Sequence, residues 1–226
     1  MTQDTQFNNG EERTLALSDA SLAALLAKGF LRPVASFIEE MRSGNYVAQL
    51  RGVLDASNDA RIAEALDSIE AMGAQLAEQD AEQARLMLEV DYNRLFVGPG
   101  ALLATPYESF YRSEPDENGR GTICGLPMLA VKDFYTRFGT KMPEHFVEFP
   151  DHIALELEFL SLLAQEEAKC WEADDIDGAR VFQEGAAEFR RDHLGVWIHR
   201  FAADVAAGAE AKLYPALAEL VLCTQI

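Results

Sequence analysis

The stretch FPDHIALELEFLSLLAQEEAKCW, residues 149–171, decides the fold of this 226-residue chain. Apolar side chains recur in it at helical spacing, which predicts a long helix with most of its surface buried. Pro150 keeps Phe149 out of the helical conformation, and Asp151 is expected to cap the helix by accepting hydrogen bonds from its first free N–H groups. The predicted buried positions are Ile153, Leu157, Phe159, Leu160, Leu163, Ala164, Ala168 and Trp171.

Helical periodicity continues on both sides of this stretch, and the chain is predicted to be an all-α bundle of roughly nine to eleven helices. The polar, patternless residues 1–14 are expected to be disordered, and residues 15–226 to form a single domain. Helices are predicted from Ser18 (as N-cap) to about Phe30, from Val34 to Met41, from Tyr46 to Leu54, after the caps Asp59 and Asp80, from Met128 to Phe138, from near Asp177 with a break at Gly195, and from Glu210 to Leu222.

Residues 98–126 form the longest irregular stretch, with five glycines and three prolines. A long loop inside a compact domain is uncommon and is often functional. A boundary between two closely associated helical halves is therefore expected within residues 98–150.

The formal net charge is −19, from 38 acidic and 19 basic residues. Such a surface repels phosphate backbones and disfavours nucleic-acid binding. Residues 55–91 carry ten acids against two arginines, and residues 144–167 carry seven acids and no lysine or arginine. Acidic runs are usually solvated faces, but two of them also suit a basic ligand.

The three cysteines form no C-x-x-C pair, which argues against a disulfide framework, an iron–sulfur cluster or a structural zinc site. The first residues show no signal-peptide pattern, and no apolar run reaches the length of a membrane span. A cytoplasmic protein without stable membrane insertion is expected.

The sequence contains no motif of a catalytic nucleophile, a phosphate-binding loop or a metal-ligating helix. His152 and Glu156 stand at i, i+4, where they form either one edge of a metal site or, more commonly, a simple side-chain contact. His193 and His199 lie among apolar neighbours and are expected to be structural. No cofactor and no metal are predicted.

Two stretches are candidates for binding. Residues 105–111, TPYESFY, place three aromatic side chains and Glu108 in the irregular region. They either anchor the loop on the core or line a peptide groove in which Glu108 meets a basic side chain. Residues 149–152 either cap a helix only or belong to the same groove.

Together with LFVGPG at residues 95–100 and PDHIALELEFL at residues 150–160, these stretches resemble, in order and spacing, the TorD/DmsD family of redox-enzyme maturation chaperones. The resemblance implies an all-helical fold with a hinge near Pro150. It also implies a chaperone, not an enzyme, that binds the twin-arginine signal peptide of a molybdopterin oxidoreductase of the dimethyl sulfoxide or trimethylamine N-oxide reductase type. Export would be held back until cofactor insertion and folding are complete.

The partners implied are the signal peptide and the immature catalytic subunit, and a hinge allows homodimers by domain swapping. Some family members have Trp where Tyr107 and Tyr111 stand here. Carboxylates beside an aromatic groove suit a ligand with two guanidinium groups and an apolar run. The candidate peptide-binding residues are Tyr107, Glu108, Ser109, Tyr111, Asp151, His152 and Glu156, with Gly125 and Leu126 as weaker candidates.

Two alternatives remain open at the level of sequence. A NarJ-type assembly chaperone would act on the catalytic subunit without recognising a signal peptide. An all-helical enzyme would use His152, Asp151 and Glu156 as acid–base or metal groups.

Overall fold

The computed structural model describes residues 2–98, 102–117, 120–141 and 148–224, with side chains from Asn9 onward. Apart from one antiparallel bridge between Tyr107 and His152, regular structure in these ranges is entirely helical, which confirms the all-α class. The α-helices are α1 (Thr2–Gly29), α2 (Ala35–Arg42), α3 (Asn45–Leu54), α4 (Ala60–Ala77), α5 (Ala81–Tyr92), α6 (Glu108–Arg112), α7 (Leu126–Arg137), α8 (Ile153–Glu172), α9 (Ile176–Phe189), α10 (Gly195–Gly208) and α11 (Leu213–Thr224).

Helix α8 is buried along most of its length, as its sequence predicts. All eight of its predicted inward side chains are buried. Helix α1 packs along one side of α8 and α9 packs along another. A helix with apolar side chains on several faces needs neighbours on several sides, and these two helices supply them.

The N-terminal segment differs from our expectation, because α1 already begins at Thr2 and Ser18 lies inside it. Residues 9–14 are therefore helical and not disordered. Asn9 donates a hydrogen bond of 3.0 Å to Asp174, and Arg13 pairs with Glu172 at 3.2 Å. These contacts with the end of α8 and the turn after it hold residues 9–14 of α1, which contain no apolar side chain that would predict a buried helix.

Each end of the chain packs against a helix that is far from it in sequence. Helix α11 returns to pack on α4 as well as on α10, while α1 lies on α8. Buried apolar side chains of helices from α1 to α11 form one large cluster, and Ala16, Ala168, Trp171 and Ala179 form a second, small one. The large cluster draws on both ends of the described chain, and the two halves and the hinge expected from the sequence stay a prediction.

Several predicted helix starts and one predicted helix end are confirmed. Asp59 and Asp80 cap α4 and α5 by accepting hydrogen bonds from N–H groups of the first turn. Pro127 lies in the first turn of α7, where its missing N–H costs nothing. Gly139 follows α7 with a φ of +70°, a conformation that glycine adopts without strain.

The predicted break at Gly195 is wrong. A π-helical turn, Arg190–Leu194, joins α9 directly to α10, and a similar turn, Asn93–Val97, extends α5 to Gly98. Such a turn inserts one residue without ending the helix. Near the C-terminus, α11 begins at Leu213 and not at Glu210. The N–H groups of residues 210 and 211, in the loop before it, donate to Asp91.

The irregular region contains one short helix, α6, within the stretch expected to be a loop. Three gaps in the description, residues 99–101, 118–119 and 142–147, fall between residues 98 and 150. Pro99, Gly100 and His145 therefore lie outside the described residues, and the boundary expected here stays a prediction. No helix in the described ranges is long and apolar enough to cross a membrane.

Candidate functional site

The two candidate stretches meet in space. The backbone of residues 106–108 pairs with that of residues 151–153, since the Glu108 N–H donates to the Asp151 carbonyl at 3.0 Å and the Ile153 N–H donates to the Pro106 carbonyl at 2.9 Å. The start of α6 is thereby fixed to the start of α8. We call the six buried residues at this junction the motif cluster: Tyr107, Glu108, Ser109, Asp151, His152 and Glu156.

Asp151 stabilises α6 and not α8, contrary to the prediction from sequence. Its Oδ2 accepts a hydrogen bond of 2.8 Å from the Ser109 N–H. The N-cap of α8 is His152, whose Nδ1 accepts the Ala154 N–H at 3.1 Å. Burial raises the pKa of the Asp151 carboxyl, against the lowering effect of its hydrogen bonds with Ser109.

His152 is fully enclosed, and burial lowers the pKa of its imidazole to about 3 from an ordinary value of 6.5. A neutral ring is also required for Nδ1 to accept the capping hydrogen bond. The Tyr107 ring packs edge-on against it at 5.2 Å between centroids. His152 is therefore a structural cap, which argues against the use of this residue as an acid–base group.

The pH dependence of stability tests this assignment. The unfolded chain binds a proton at His152 below pH 6.5 and the folded chain does not, so this residue lowers stability as the pH falls. Relative to His152→Asn, in which the amide oxygen still caps α8, the wild type is expected to lose about 2 kcal/mol of unfolding free energy between pH 7 and pH 5. Urea denaturation at both pH values measures this difference. A constant difference would contradict the neutral, buried state of His152.

Glu108 and Glu156 lie side by side in the interior. Burial and the neighbouring Glu108 raise the pKa of the Glu156 carboxyl well above its usual range. Its Oε2 accepts a hydrogen bond of 3.1 Å from the Trp197 indole. Protonation of Glu156 removes its charge, which lowers the cost of burying this carboxyl next to another one.

Glu108 contacts two side chains, one from another element and one from its own helix. His193 Nδ1 lies 3.1 and 3.2 Å from its two carboxylate oxygens, and Arg112, at the end of α6, forms an ion pair with it. His193 belongs to the π-helical turn that joins α9 to α10. That turn thus contributes a partner to the motif cluster.

Tyr111 lies beside the cluster and not in it. Its ring stacks on Trp197 at 5.5 Å between centroids, and its hydroxyl donates to Asp204 at 2.9 Å. Both partners lie on α10. The aromatic side chains of residues 105–111 are therefore chiefly anchors on the core, one of the two alternatives that the sequence left open.

Gly125 and Leu126 are the two candidate residues on the surface. The Ser109 hydroxyl accepts the Cys124 N–H at 2.9 Å, which holds the turn before α7 against the motif cluster. Cys124 and Gly125 both have positive φ, at 80° and 97°, and this turn leaves the Leu126 side chain 82% exposed. Ile123 and Leu129 are exposed beside it. We call Ile123, Leu126 and Leu129 the apolar rim.

Among the described residues, no group of three or more His, Cys, Asp or Glu side chains is arranged to hold a metal ion. For His152 and Glu156, the i, i+4 pair, the sequence left open one edge of a metal site or, more commonly, a simple side-chain contact, and the two side chains are engaged by different partners. His152 Nδ1 accepts a backbone N–H, and Glu156 accepts the indole of Trp197.

Sequence reasoning missed Arg112, His193 and Trp197 as partners of the motif cluster. His193 and Trp197 lie 85 and 41 residues from the carboxylates that they contact. Their apolar neighbours indicated only inward positions. His199, which we expected to be structural, is exposed.

The fold and this site define a class: all-helical proteins in which a polar cluster fixes a short loop helix to a long central helix. A solved structure from Archaeoglobus fulgidus, assigned as a redox enzyme maturation protein, has the same fold, with a TM-score of 0.52, 21% identity and 90% of each chain covered.

The chain belongs to the nitrate reductase delta subunit family, whose model matches residues 55–203. This places it among the TorD-type proteins that the sequence resembles. A selenate reductase assembly chaperone from Thauera selenatis is 34% identical over 138 residues, 59% of this chain and 66% of that protein. A chlorate reductase assembly chaperone from Ideonella dechloratans is 34% identical over 146 residues, 63% of this chain and 70% of that protein.

A TorD chaperone from Vibrio cholerae is 28% identical over 144 residues, 64% of this chain. The match spans 61% of the length of that TorD protein. These relatives are named as chaperones and assembly proteins and not as enzymes, in agreement with the expectation from sequence.

Proposed function

We propose that this protein is a cytoplasmic chaperone that binds the twin-arginine signal peptide of a molybdopterin oxidoreductase and holds back its export until cofactor insertion and folding are complete. The client would be of the dimethyl sulfoxide or trimethylamine N-oxide reductase type. The observation that carries the proposal is the apolar rim. Leu126 is 82% exposed on a turn that Ser109 of the motif cluster holds in place.

The chemistry of the rim suits the apolar run of a signal peptide. Exposed apolar side chains grouped on one surface are typical of a binding site. Phe149 is also exposed, and its ring contacts Tyr107 of the motif cluster at 5.9 Å between centroids. The adjacent Glu148 accepts the Tyr107 hydroxyl and supplies a carboxylate close to this surface.

The buried members of the motif cluster act in this proposal as positioning residues. Glu108, Asp151 and Glu156 are 0% exposed, so an arginine of the peptide reaches them only if this region opens. Gly125 and Leu126 are the proposed direct contacts, and Tyr107 lies at the edge. The sequence predicts that all nine candidate residues touch the peptide. We now propose that some of them contact it directly and that the buried ones hold the contacting residues in position.

Titration calorimetry with synthetic twin-arginine signal peptides from the host's molybdoenzymes tests the proposal. Peptides with Lys-Lys in place of the two arginines, and scrambled peptides, are the controls. Micromolar or tighter binding of one peptide, with weaker binding of its Lys-Lys version, is expected because the arginine fork pairs better with carboxylates.

Leu126→Gln is expected to weaken this binding at least about tenfold, since it removes the most exposed apolar contact. Val181→Gln, at a position on α9 that is 57% exposed, is the matched control and should bind as the wild type does. If the two variants bound the peptide with equal affinity, the apolar rim would not be part of the peptide-binding site.

A second candidate function is that of an assembly chaperone without signal-peptide recognition. The selenate and chlorate reductase assembly chaperones among the relatives favour it. In that case none of the peptides binds, but the immature catalytic subunit without its leader is retained by the immobilised chaperone.

A further inference from the structure

A second apolar surface lies along α4, away from the motif cluster. One cavity of about 630 Å³ lies between α4, α5 and the loop before α11, and another of about 360 Å³ continues it toward the start of α11. Both are lined by Ser68 and Lys212, so they form one trough. We call this trough, from Arg61 to Gln75 on α4, the α4 groove.

The floor and one wall of the α4 groove are apolar. Met72 and Met87 line it, together with Leu86 and Val90, which are 54% and 51% exposed. Leu86 and Val90 stand one turn apart on α5, on a face separate from the one that supplies Ala84 and Leu88 to the core. A helix with a second apolar face is typical of a helix that receives a partner.

The other wall of the groove is fixed in place. Asp91 accepts the N–H groups of Glu210 and Ala211 at 3.1 and 3.2 Å, and Arg94 pairs with Glu210 at 3.1 Å. These bonds tie the loop before α11 to the end of α5. The groove therefore exists before any partner arrives, which lowers the entropic cost of binding.

The surface around the groove remains acidic even when the ion pairs between its arginines and carboxylates are taken into account. Arg51 is shared between Asp67 and Glu70, and Arg85 between Glu82 and Glu89. Each arginine thus leaves one negative charge uncompensated, and Arg94 is shared in the same way between Asp91 and Glu210. Glu64 and Glu78 add further exposed carboxylates.

Two cations line the groove as well. Arg61 is held by Asp59 at 2.8 Å and faces Glu219 at 3.8 Å. Lys212 lies where the two cavities meet. The charge of the whole region nevertheless remains negative, with ten acids against two arginines in residues 55–91.

We infer that the α4 groove binds a basic amphipathic helix of a partner protein. The apolar face of that helix would lie on Met72, Leu86 and Val90, and its lysines or arginines would face the surrounding carboxylates. The distance from Arg61 to Gln75 along α4 is about 21 Å, which corresponds to a partner helix of about four turns.

A helix fits this groove better than an extended strand does. An extended peptide would place unpaired backbone N–H and C=O groups against methionine, leucine and valine side chains. A helix satisfies its own backbone and presents only side chains, as in other helix-in-groove complexes. Complementary charge also speeds the encounter.

The test uses the full-length protein and a fluorescein-labelled peptide of about 14 residues with leucine on one helical face and lysine on the other. Fluorescence anisotropy measures its affinity. Two control peptides have the same leucines with glutamate for lysine, and the same composition in scrambled order. The lysine peptide is expected to bind at least about tenfold more tightly than either control.

The double variant Leu86→Gln/Val90→Gln is expected to weaken binding of the lysine peptide at least about tenfold, because it removes apolar contact without changing charge. Val181→Gln is again the matched control, and thermal melting verifies that both variants are folded. Unchanged affinity in the double variant, or equal affinity for the lysine and glutamate peptides, would overturn the inference.

The inference is independent of signal-peptide recognition. Leu126→Gln should leave binding of the lysine peptide unchanged, and the groove variant should leave binding of the twin-arginine peptide unchanged. If the groove variant abolished both, the two ligands would share one surface and the separate docking site would be refuted. If no twin-arginine peptide binds at all, the comparison of the lysine peptide with the glutamate and scrambled peptides still decides whether the groove binds a basic helix.

Discussion

Replacement of Trp197 by alanine is expected to lower the free energy of unfolding by about 3–5 kcal/mol. Trp197 is 0% exposed, and its ring lies 5.5 Å from that of Tyr111 and 5.4 Å from that of Phe201. The substitution leaves a cavity where the motif cluster meets α10. It also removes the indole N–H from Glu156, which then stays buried without this donor. Urea denaturation followed by circular dichroism measures the loss.

Trp197→Phe separates the two contributions. Phenylalanine keeps an aromatic ring near Tyr111 and Phe201 and removes the N–H, so a smaller loss of about 1–3 kcal/mol is expected. If both variants lost the same free energy, ring packing would contribute nothing measurable, and the cavity argument would be wrong.

Asp151→Ala is expected to cost about 2–3 kcal/mol of unfolding free energy, because the Ser109 N–H loses its buried acceptor. The same change should weaken binding of the twin-arginine peptide at least about tenfold. The reason is a chain of hydrogen bonds: Asp151 holds Ser109, and Ser109 holds Cys124 at the base of the apolar rim. Denaturation and calorimetry on the same preparation measure both effects.

Asp151→Asn is the matched control for this chain of contacts. The amide oxygen still accepts the Ser109 N–H, and a neutral group avoids the cost of a buried charge, which the raised pKa of Asp151 reflects. We expect Asp151→Asn to stay close to the wild type in both measurements. Peptide affinity that falls as far in Asp151→Asn as in Asp151→Ala would show that the carboxylate charge itself recognises the peptide.

Much of the fold could be predicted from the sequence because local signals and packing agree. The stripe from Ile153 to Trp171 is apolar at helical spacing and is buried throughout. Asp59 and Asp80 cap the helices that their positions predict. Pro127 and Gly139 mark the two ends of α7 for reasons of backbone geometry alone.

The first half of α1 could not be predicted, because tertiary contacts stabilise it. Asn9 and Arg13 bond to Asp174 and Glu172, which lie about 160 positions further along the chain. The prediction that Asp151 caps α8 was wrong for a related reason. Asp151 is the better N-cap residue in isolation, but its carboxylate is needed by the N–H of Ser109 in a different helix.

The role of the candidate residues in peptide binding stays a prediction, but the structure does show how the two candidate stretches are arranged. Residues 105–111 and 150–156 do meet, as the resemblance to a known family implies. These stretches are buried because they contact partners on α10 and on the π-helical turn. The pattern of residues within either stretch does not predict those partners. Leu126, one of the two weaker sequence candidates, is the one with the most exposed side chain.

The packing of each chain end against a distant helix has a consequence for when the α4 groove is complete. Helix α11 supplies Leu213, Tyr214 and Leu217 to the core, each 0% exposed, and packs on α4. A ribosome adds roughly 5–20 residues per second, so α4 waits several seconds for this cover after its own synthesis. During that interval the apolar inner face of α4 is open to other chaperones. The chain therefore passes through a stage in which this apolar face is uncovered, and the α4 groove is complete only after Lys212 and the start of α11 have emerged.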